Sequence, residues 1–302
     1  MIMNLEALIH DFLRECKLRK LSIHTQRAYE LDLYKFLTWA RSAKTDSSLD
    51  PSTIEGWRSD LDGKSYAAST IKRRLATLKA MVKWLERNDR IAENPFAKID
   101  VGIKLPRRLP RNLARRDLRL LLAGVNAGAR GTSLLVLLLQ FTVELILTTG
   151  IRVGEACSIT LDDVDLEAGT IRILGKGSRE RQVFLVDDQL ARLAKRYIKA
   201  RGRARPSTDH LLVTPHGRPA STDYIRRCLH DAVAETAIPG KVTPHMLRHT
   251  AATQLIECGV DIRFVQRLLG HSSIATTEIY THVSDTALRS AILGAGSRRK
   301  LG

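Results

Sequence analysis

The chain has 302 residues, of which 44% are apolar and 27% charged, enough for two hydrophobic cores and too apolar for a disordered polymer. Lys and Arg number 49 against 32 Asp and Glu, a formal net charge of +17. That excess points to a polyanionic partner, with nucleic acid ahead of a membrane surface or an acidic protein. Cys16, Cys157, Cys228 and Cys258 are scattered, with no C-x-x-C pair; a zinc site is not expected, and the usage suits a reducing cytosol. The opening MIMNLEALIHDFLREC carries acids within its apolar pattern and lacks a small-residue cleavage site, so it does not read as a signal peptide. The longest apolar stretch, Ser133 to Thr148, is interrupted by Gln140 and Glu144 and reads as a buried helix rather than a membrane span.

Residues 1–95 read as helices. One starts near Ser22 and carries Tyr29, Leu33, Phe36 and Leu37 inward. In another, capped by Ser69, the residues Ile71, Leu75, Leu78, Val82 and Leu85 recur at spacings of three and four, which places them on one face. Lys72, Lys79 and Lys83 share a flank of that helix. Asn94-Pro95 then stops the pattern. The segment KLPRRLPRN, residues 104–112, brackets Arg107 and Arg108 between Pro106 and Pro110 and predicts a basic, extended tether reaching about 26 Å. Helices are expected near 115–124, 132–149, 187–200, 222–236, 244–258, 262–269 and 273–282. TIRILGKGSRERQVFLV reads as two strands around a Gly-rich turn at 175–178, and LLVTP at 211–215 as a further strand. Basic residues exceed acidic ones by 19 to 14 up to Leu105 and by 30 to 18 after it. Both parts therefore suit one shared polyanion.

Four segments carry candidate chemistry. In LTTGIRVGEACSIT, Gly150 fits a helix C-cap that needs positive φ. It leaves Arg152 at the mouth of the turn with its guanidinium free to project toward a phosphate oxygen. In GKGSRER, Lys176 lies between two glycines of the hairpin turn. In TPHMLRHTAAT, Thr243 caps and Pro244 opens a helix whose first turns hold His245 and Arg248 on one face, with His249 pointing elsewhere. In LLGHSSIATTEIYTHV, a helix ends at Gly270, His271 follows, and Tyr280 lies two turns into the next helix. Each segment alone has a plain structural reading. Together they suit attack on a phosphodiester: Arg152, Arg248 and His271 to neutralise its oxygens, Tyr280 as nucleophile and Lys176 as general acid. No Asp/Glu cluster is patterned for a two-metal site, so metal-free covalent catalysis fits better.

The order Arg, Lys, His-x-x-Arg, His, Tyr resembles the tyrosine recombinase (phage integrase) family. It is carried by GIRVGE, GKGSRER, HMLRHTAAT and LGHSSIATTEIYTHV, while HTQRAYELDLYKFLTWA and STIKRRLATLKAMVKWL are similar to that family's core-binding domain. The resemblance implies a mainly α fold with a small β-sheet. A helical, SAM-like core-binding domain spans 1–103, a linker 104–112, and a mixed α/β catalytic domain with a C-terminal tail 113–302. By the same resemblance, Arg152 and Arg248 grip the scissile phosphate and Lys176 is the general acid. His245 accepts a proton or orients, His271 donates to the transition state, and Tyr280 forms a 3′-phosphotyrosine that frees a 5′-hydroxyl. Neither metal nor ATP is implied.

Thr25, Arg27, Lys72, Lys79, Lys83, Arg107 and Arg108 become candidates for DNA contact. The expected partners are a specific double-stranded DNA site and sister protomers in a tetramer on two duplexes, with an accessory protein or second recombinase allowed. With no arm-binding domain expected before residues 1–10, the layout looks Xer-like or transposon-borne. The tail SDTALRSAILGAGSRRKLG, with Ala287, Leu288, Ala291, Ile292 and Leu293 on a short helix, is the expected docking segment between protomers. One departure is ARRDLRLLL, where the family often has an acidic start. Two alternatives stand beside this reading: a type IB topoisomerase-like enzyme, and a non-catalytic DNA-binding protein of the same fold.

Overall fold

A computed structural model describes residues 4–45, 48–99, 102–103, 105, 111–127, 133–175, 180–185, 187–270 and 277. The chain divides into two compact units, Met1–Arg107 and Arg108–Gly302.

In the first unit, α1 (Leu5–Leu18), α2 (Ile23–Ser42), α3 (Pro51–Gly63) and α4 (Ala68–Arg87) pack around one core. Asn4, Ser22 and Asp50 each accept a backbone N–H at the start of α1, α2 and α3, replacing a partner those first amides lack within the helix. The periodic face of α4 is buried along its length at Ile71, Leu75, Leu78, Val82 and Leu85. Opposite it lie Leu33, Phe36 and Leu37, with Phe36 tilted against Trp57 at 4.8 Å. Tyr29 is only half-buried and stacks on Phe12. The cap of α4 differs from expectation. The Ala67 carbonyl accepts from the amides of Thr70 and Ile71, so the helix starts before Ser69 and has no side-chain cap.

The second unit holds α5 (Arg115–Ala127), α6 (Leu134–Thr149), α7 (Val153–Ser158), a three-stranded antiparallel sheet, α8 (Asp188–Arg203), α9 (Thr222–Ala234), α10 (Pro244–Glu257) and α11 (Ile262–Leu269). The sheet has the order β1 (Val164–Asp165), β2 (Thr170–Leu174), β3 (Glu180–Phe184). α6 is the apolar centre, buried through most of its length, with α8 and α10 both packed on it. The hairpin pairs Ile171 with Val183 and Ile173 with Arg181. Alternation along β3 therefore places Arg181 on the inward face beside buried Val183.

The expected strand at 211–215 does not form; this stretch makes a single bridge, Val213 with Pro219, and His210 just before it makes another with Thr160. Its apolar content was read correctly, since Leu211, Leu212 and Val213 are fully buried. Its backbone finds other partners. The Tyr197 hydroxyl donates to the Leu211 carbonyl and accepts from the Val213 amide, the Leu211 amide donates to the Ile159 carbonyl, and the Leu212 carbonyl accepts from the Ala220 amide. Of the helix expected at 273–282, only Thr277 is described, helical and buried. Lys176, His271, Tyr280, the linker residues Arg107 and Arg108 and the tail lie outside the described residues.

Candidate active site

α6 ends at Gly150, whose φ of +64° and amide bond to the Ile146 carbonyl close the helix in the left-handed region. A β-carbon there would stand 2.6 Å from Leu269 Cδ2, so the turn needs glycine both for its dihedral and for its contact with α11. The chain then reaches Arg152, which precedes the first turn of α7. Three residues on, Glu155 folds back and its Oε2 accepts the Arg152 amide at 2.9 Å.

Glu155 also takes the Arg152 guanidinium, Nη1 to Oε1 at 2.9 Å, and the Arg181 guanidinium through both of its terminal nitrogens, at 3.2 and 2.7 Å. The expectation of a freely projecting Arg152 is corrected accordingly: its guanidinium is held by the acid one turn away, while its side chain stays 37% exposed. Burial pushes the Glu155 carboxyl up, but hydrogen bonds and charge from Arg181 and Arg152 outweigh it and hold the group below the ordinary carboxylate range.

α10 opens as expected, with Thr243 accepting the Met246 amide and Pro244 in the first turn. Arg248 is buried; its Nη1 donates to the Gly150 carbonyl at 2.6 Å and its Nη2 to the Leu269 carbonyl at 2.7 Å. Arg152 Nη1 approaches the same Leu269 carbonyl at 3.4 Å, and Arg181 Nε donates to the Leu268 carbonyl at 3.0 Å. Three guanidinium groups thus meet the C-terminal carbonyls of α11, where helix geometry leaves acceptors unpaired and the helix dipole is negative.

His245, one turn before Arg248, is exposed. Partial desolvation first, then the charges of Arg226, Arg248 and Arg152, push it below the ordinary histidine value, which favours the neutral ring that can accept a proton. His249 is half-buried, and burial, then the nearby His245 and Arg248, lower its pKa.

Of the six candidate catalytic residues, the structure brings Arg152, His245 and Arg248 together from two stretches of chain. Lys176, His271 and Tyr280 are not described, but His271 follows directly on Gly270, the residue that caps α11. Glu155 and Arg181 were missed as site residues, although both lie inside the quoted motifs. The signal available was an acid three residues after an arginine. The candidate DNA contacts in the first unit are less uniform. Arg27, Lys72, Lys79 and Lys83 are exposed, Lys79 lies over the Phe96 ring, and Thr25 is tied into the cap of α2 through Ser22.

A helical unit followed by a helix-rich unit with a small sheet, carrying arginines and a histidine around one turn, suits a phosphoryl-transfer enzyme that works on a polyanion. Comparison with known proteins makes this specific. Residues 112–287 match the model of the phage integrase family, and residues 9–89 match the phage integrase N-terminal SAM-like domain. Tyrosine recombinase XerC of Mycobacterium tuberculosis is 36% identical over 274 residues, covering 89% of this chain and 91% of that protein. A tyrosine recombinase of Agathobacter rectalis is 32% identical over 308 residues, covering 98% of each. Among solved structures, XerH site-specific recombinase bound to palindromic difH substrate has a TM-score of 0.74 at 24% identity, covering 91% of this chain and 80% of that one. The chain belongs to the phage integrase family, the tyrosine recombinases. These likenesses do not favour the topoisomerase or the non-catalytic alternative.

Proposed function

We propose that this recombinase breaks and rejoins DNA at a specific duplex site through a 3′-phosphotyrosine on Tyr280. The observation that carries the reading is the meeting of Arg152, His245 and Arg248 beside the end of α11, from which the sequence runs to His271 and Tyr280. Arg152 and Arg248 offset the charge on the non-bridging phosphate oxygens, and His271 adds a donor as that charge grows in the transition state. The Tyr280 oxygen bonds to phosphorus as the bond to the 5′ oxygen breaks. Neutral His245 takes the phenol proton, or orients the group that does, and Lys176 protonates the leaving 5′ oxygen. The phosphotyrosine conserves the bond, so a 5′-hydroxyl from a partner strand reverses the step without ATP or metal.

We assign residues 1–103 to the core-binding domain, 104–112 to the linker and 113–302 to the catalytic domain with its tail. Arg27, Lys72, Lys79, Lys83, Arg107 and Arg108 serve the phosphate backbone, and Thr25 contributes through the start of α2. The working form is a tetramer on two duplexes, in the cytoplasm, of a Xer-like or mobile-element recombinase, with room for an accessory protein or a second recombinase. No described helix is long and apolar enough to cross a membrane.

The test uses a nicked duplex of the site that the wild-type protein selects from a randomised pool. The wild type should leave a covalent protein–DNA adduct on a denaturing gel, and Tyr280→Phe should bind the duplex and leave none. An adduct persisting in that variant overturns the assignment.

A further inference from the structure

We propose that Arg181 is a positioning residue for strand cleavage: together with Glu155 it fixes the C-terminal end of α11 against the turn at 150–155, and so sets the point from which the chain departs to His271 and Tyr280. This rests on the reading of Tyr280 as the nucleophile and adds to it a residue that acts through Glu155 and the end of α11.

The geometry is specific. Arg181 reaches its place by strand alternation on β3, its side chain 12% exposed and that of its partner Glu155 9% exposed. One edge of its planar fork is spent on the two Glu155 oxygens and its Nε on the Leu268 carbonyl, an arrangement a lysine lacks the rigid donors to copy. Gly270, at φ +63°, lies flat against the guanidinium. A β-carbon there would stand 3.1 Å from Arg181 Nη1 and 3.2 Å from Cζ. The same Glu155 carboxylate holds Arg152, so one acid couples a phosphate-gripping arginine to the end of α11. Loss of Arg181 leaves Glu155 with fewer donors and the Leu268 carbonyl without this bond, and releases the contact under Gly270. Displacement of about 1 Å at a reacting group costs about 10²-fold in rate.

A second route has to be separated, because Arg181 follows Lys176 by five residues in the sequence. It could instead act by placing the general acid. A substrate whose 5′-bridging oxygen is replaced by sulfur has a leaving group that needs no proton, and it relieves defects in the acid alone.

The experiment compares wild type, Arg181→Met and Arg181→Lys on the selected nicked duplex, well below each protein's unfolding midpoint, measuring duplex affinity and the single-turnover rate of adduct formation. The expected result is affinity within about threefold of wild type and an adduct rate lower by about 10²-fold in Arg181→Met, with Arg181→Lys recovering only part. The sulfur substrate should rescue Lys176→Ala but not Arg181→Met. Arg181→Met combined with Glu155→Gln should lose no more than the worse single variant, because the two act as one unit. An adduct rate unchanged in either Arg181 variant, or rescue of Arg181→Met by the sulfur substrate, overturns the proposal. Should Arg181→Met fail to fold, Arg181→Lys decides. Absence of an adduct with wild type sinks the reading of Tyr280 itself, whereas a wild-type adduct formed equally fast by the Arg181 variants sinks only the positioning role.

Discussion

Among the described residues each unit buries one carboxylate between two arginines, and the two clusters are finished to different standards. Asp32 on α2 meets Arg73 and the Thr77 hydroxyl on α4 through one oxygen. Its other oxygen and the Arg74 Nε are 3.9 Å apart, too far for a hydrogen bond, and both lack a hydrogen-bond partner among the described residues. Glu155 accepts two donors on each oxygen. A pair that joins two helices tolerates loose geometry, because the surrounding Leu33, Phe36, Leu75 and Leu78 already hold them together. A carboxylate that aims an arginine must be satisfied completely, since any free lone pair is a direction in which the side chain can move. The comparison teaches that completeness of hydrogen bonding, rather than burial or charge, sets apart the cluster to which the proposed mechanism assigns catalysis.

The comparison can be broken from either side. The largest effect is expected from Arg248→Ala, which removes the guanidinium proposed to grip the phosphate and leaves the Gly150 and Leu269 carbonyls without its bonds. The single-turnover adduct rate should fall by about 10³-fold, and a fall below tenfold would deny Arg248 its role. Glu155→Gln should lower the same rate by about 10²-fold through misplaced Arg152 while the duplex is still bound. Asp32→Asn should do the reverse. It should cost about 2 kcal/mol of stability in urea unfolding, below the usual loss for a fully buried pair because Arg73 is 46% exposed, and leave the cleavage rate of the folded protein unchanged. Equal effects of these two variants on both readouts would erase the distinction between the clusters. Gly150→Ala should cost about 1–2 kcal/mol from its left-handed φ, with a further loss from the Leu269 contact.

The smallest effects are those of pH. His245 has a folded pKa below its unfolded value near 6.5, so the unfolded chain binds that proton first and stability declines as pH falls from about 6.5 toward the folded pKa. The adduct rate should likewise persist below pH 6.5 before it drops. Glu155, also lowered, adds stability above the ordinary carboxylate range that is lost at still lower pH. A rate profile that falls with an unshifted histidine midpoint would remove His245 from the proton path.

Local chemistry made much of this molecule legible in its sequence. The apolar faces of α2 and α4, the glycine turn at 150, the Thr243-Pro244 opening of α10 and the β2–β3 hairpin each depend on residues within a few positions of one another, where spacing and dihedral preference act directly. The same holds for the motif set that pointed to the family. What tertiary structure decided lies in contacts between distant stretches. Leu211–Val213 looked like a strand because it is buried, yet the Tyr197 hydroxyl takes the Leu211 carbonyl and the Val213 amide that a neighbouring strand would have used. Arg181 looked like one more basic residue in a turn. Its partners are an acid 26 residues earlier and a carbonyl 87 residues later, and no spacing rule brings those together. Periodicity specifies which face of an element is buried, but the partner of a buried polar group is fixed only when the elements have packed.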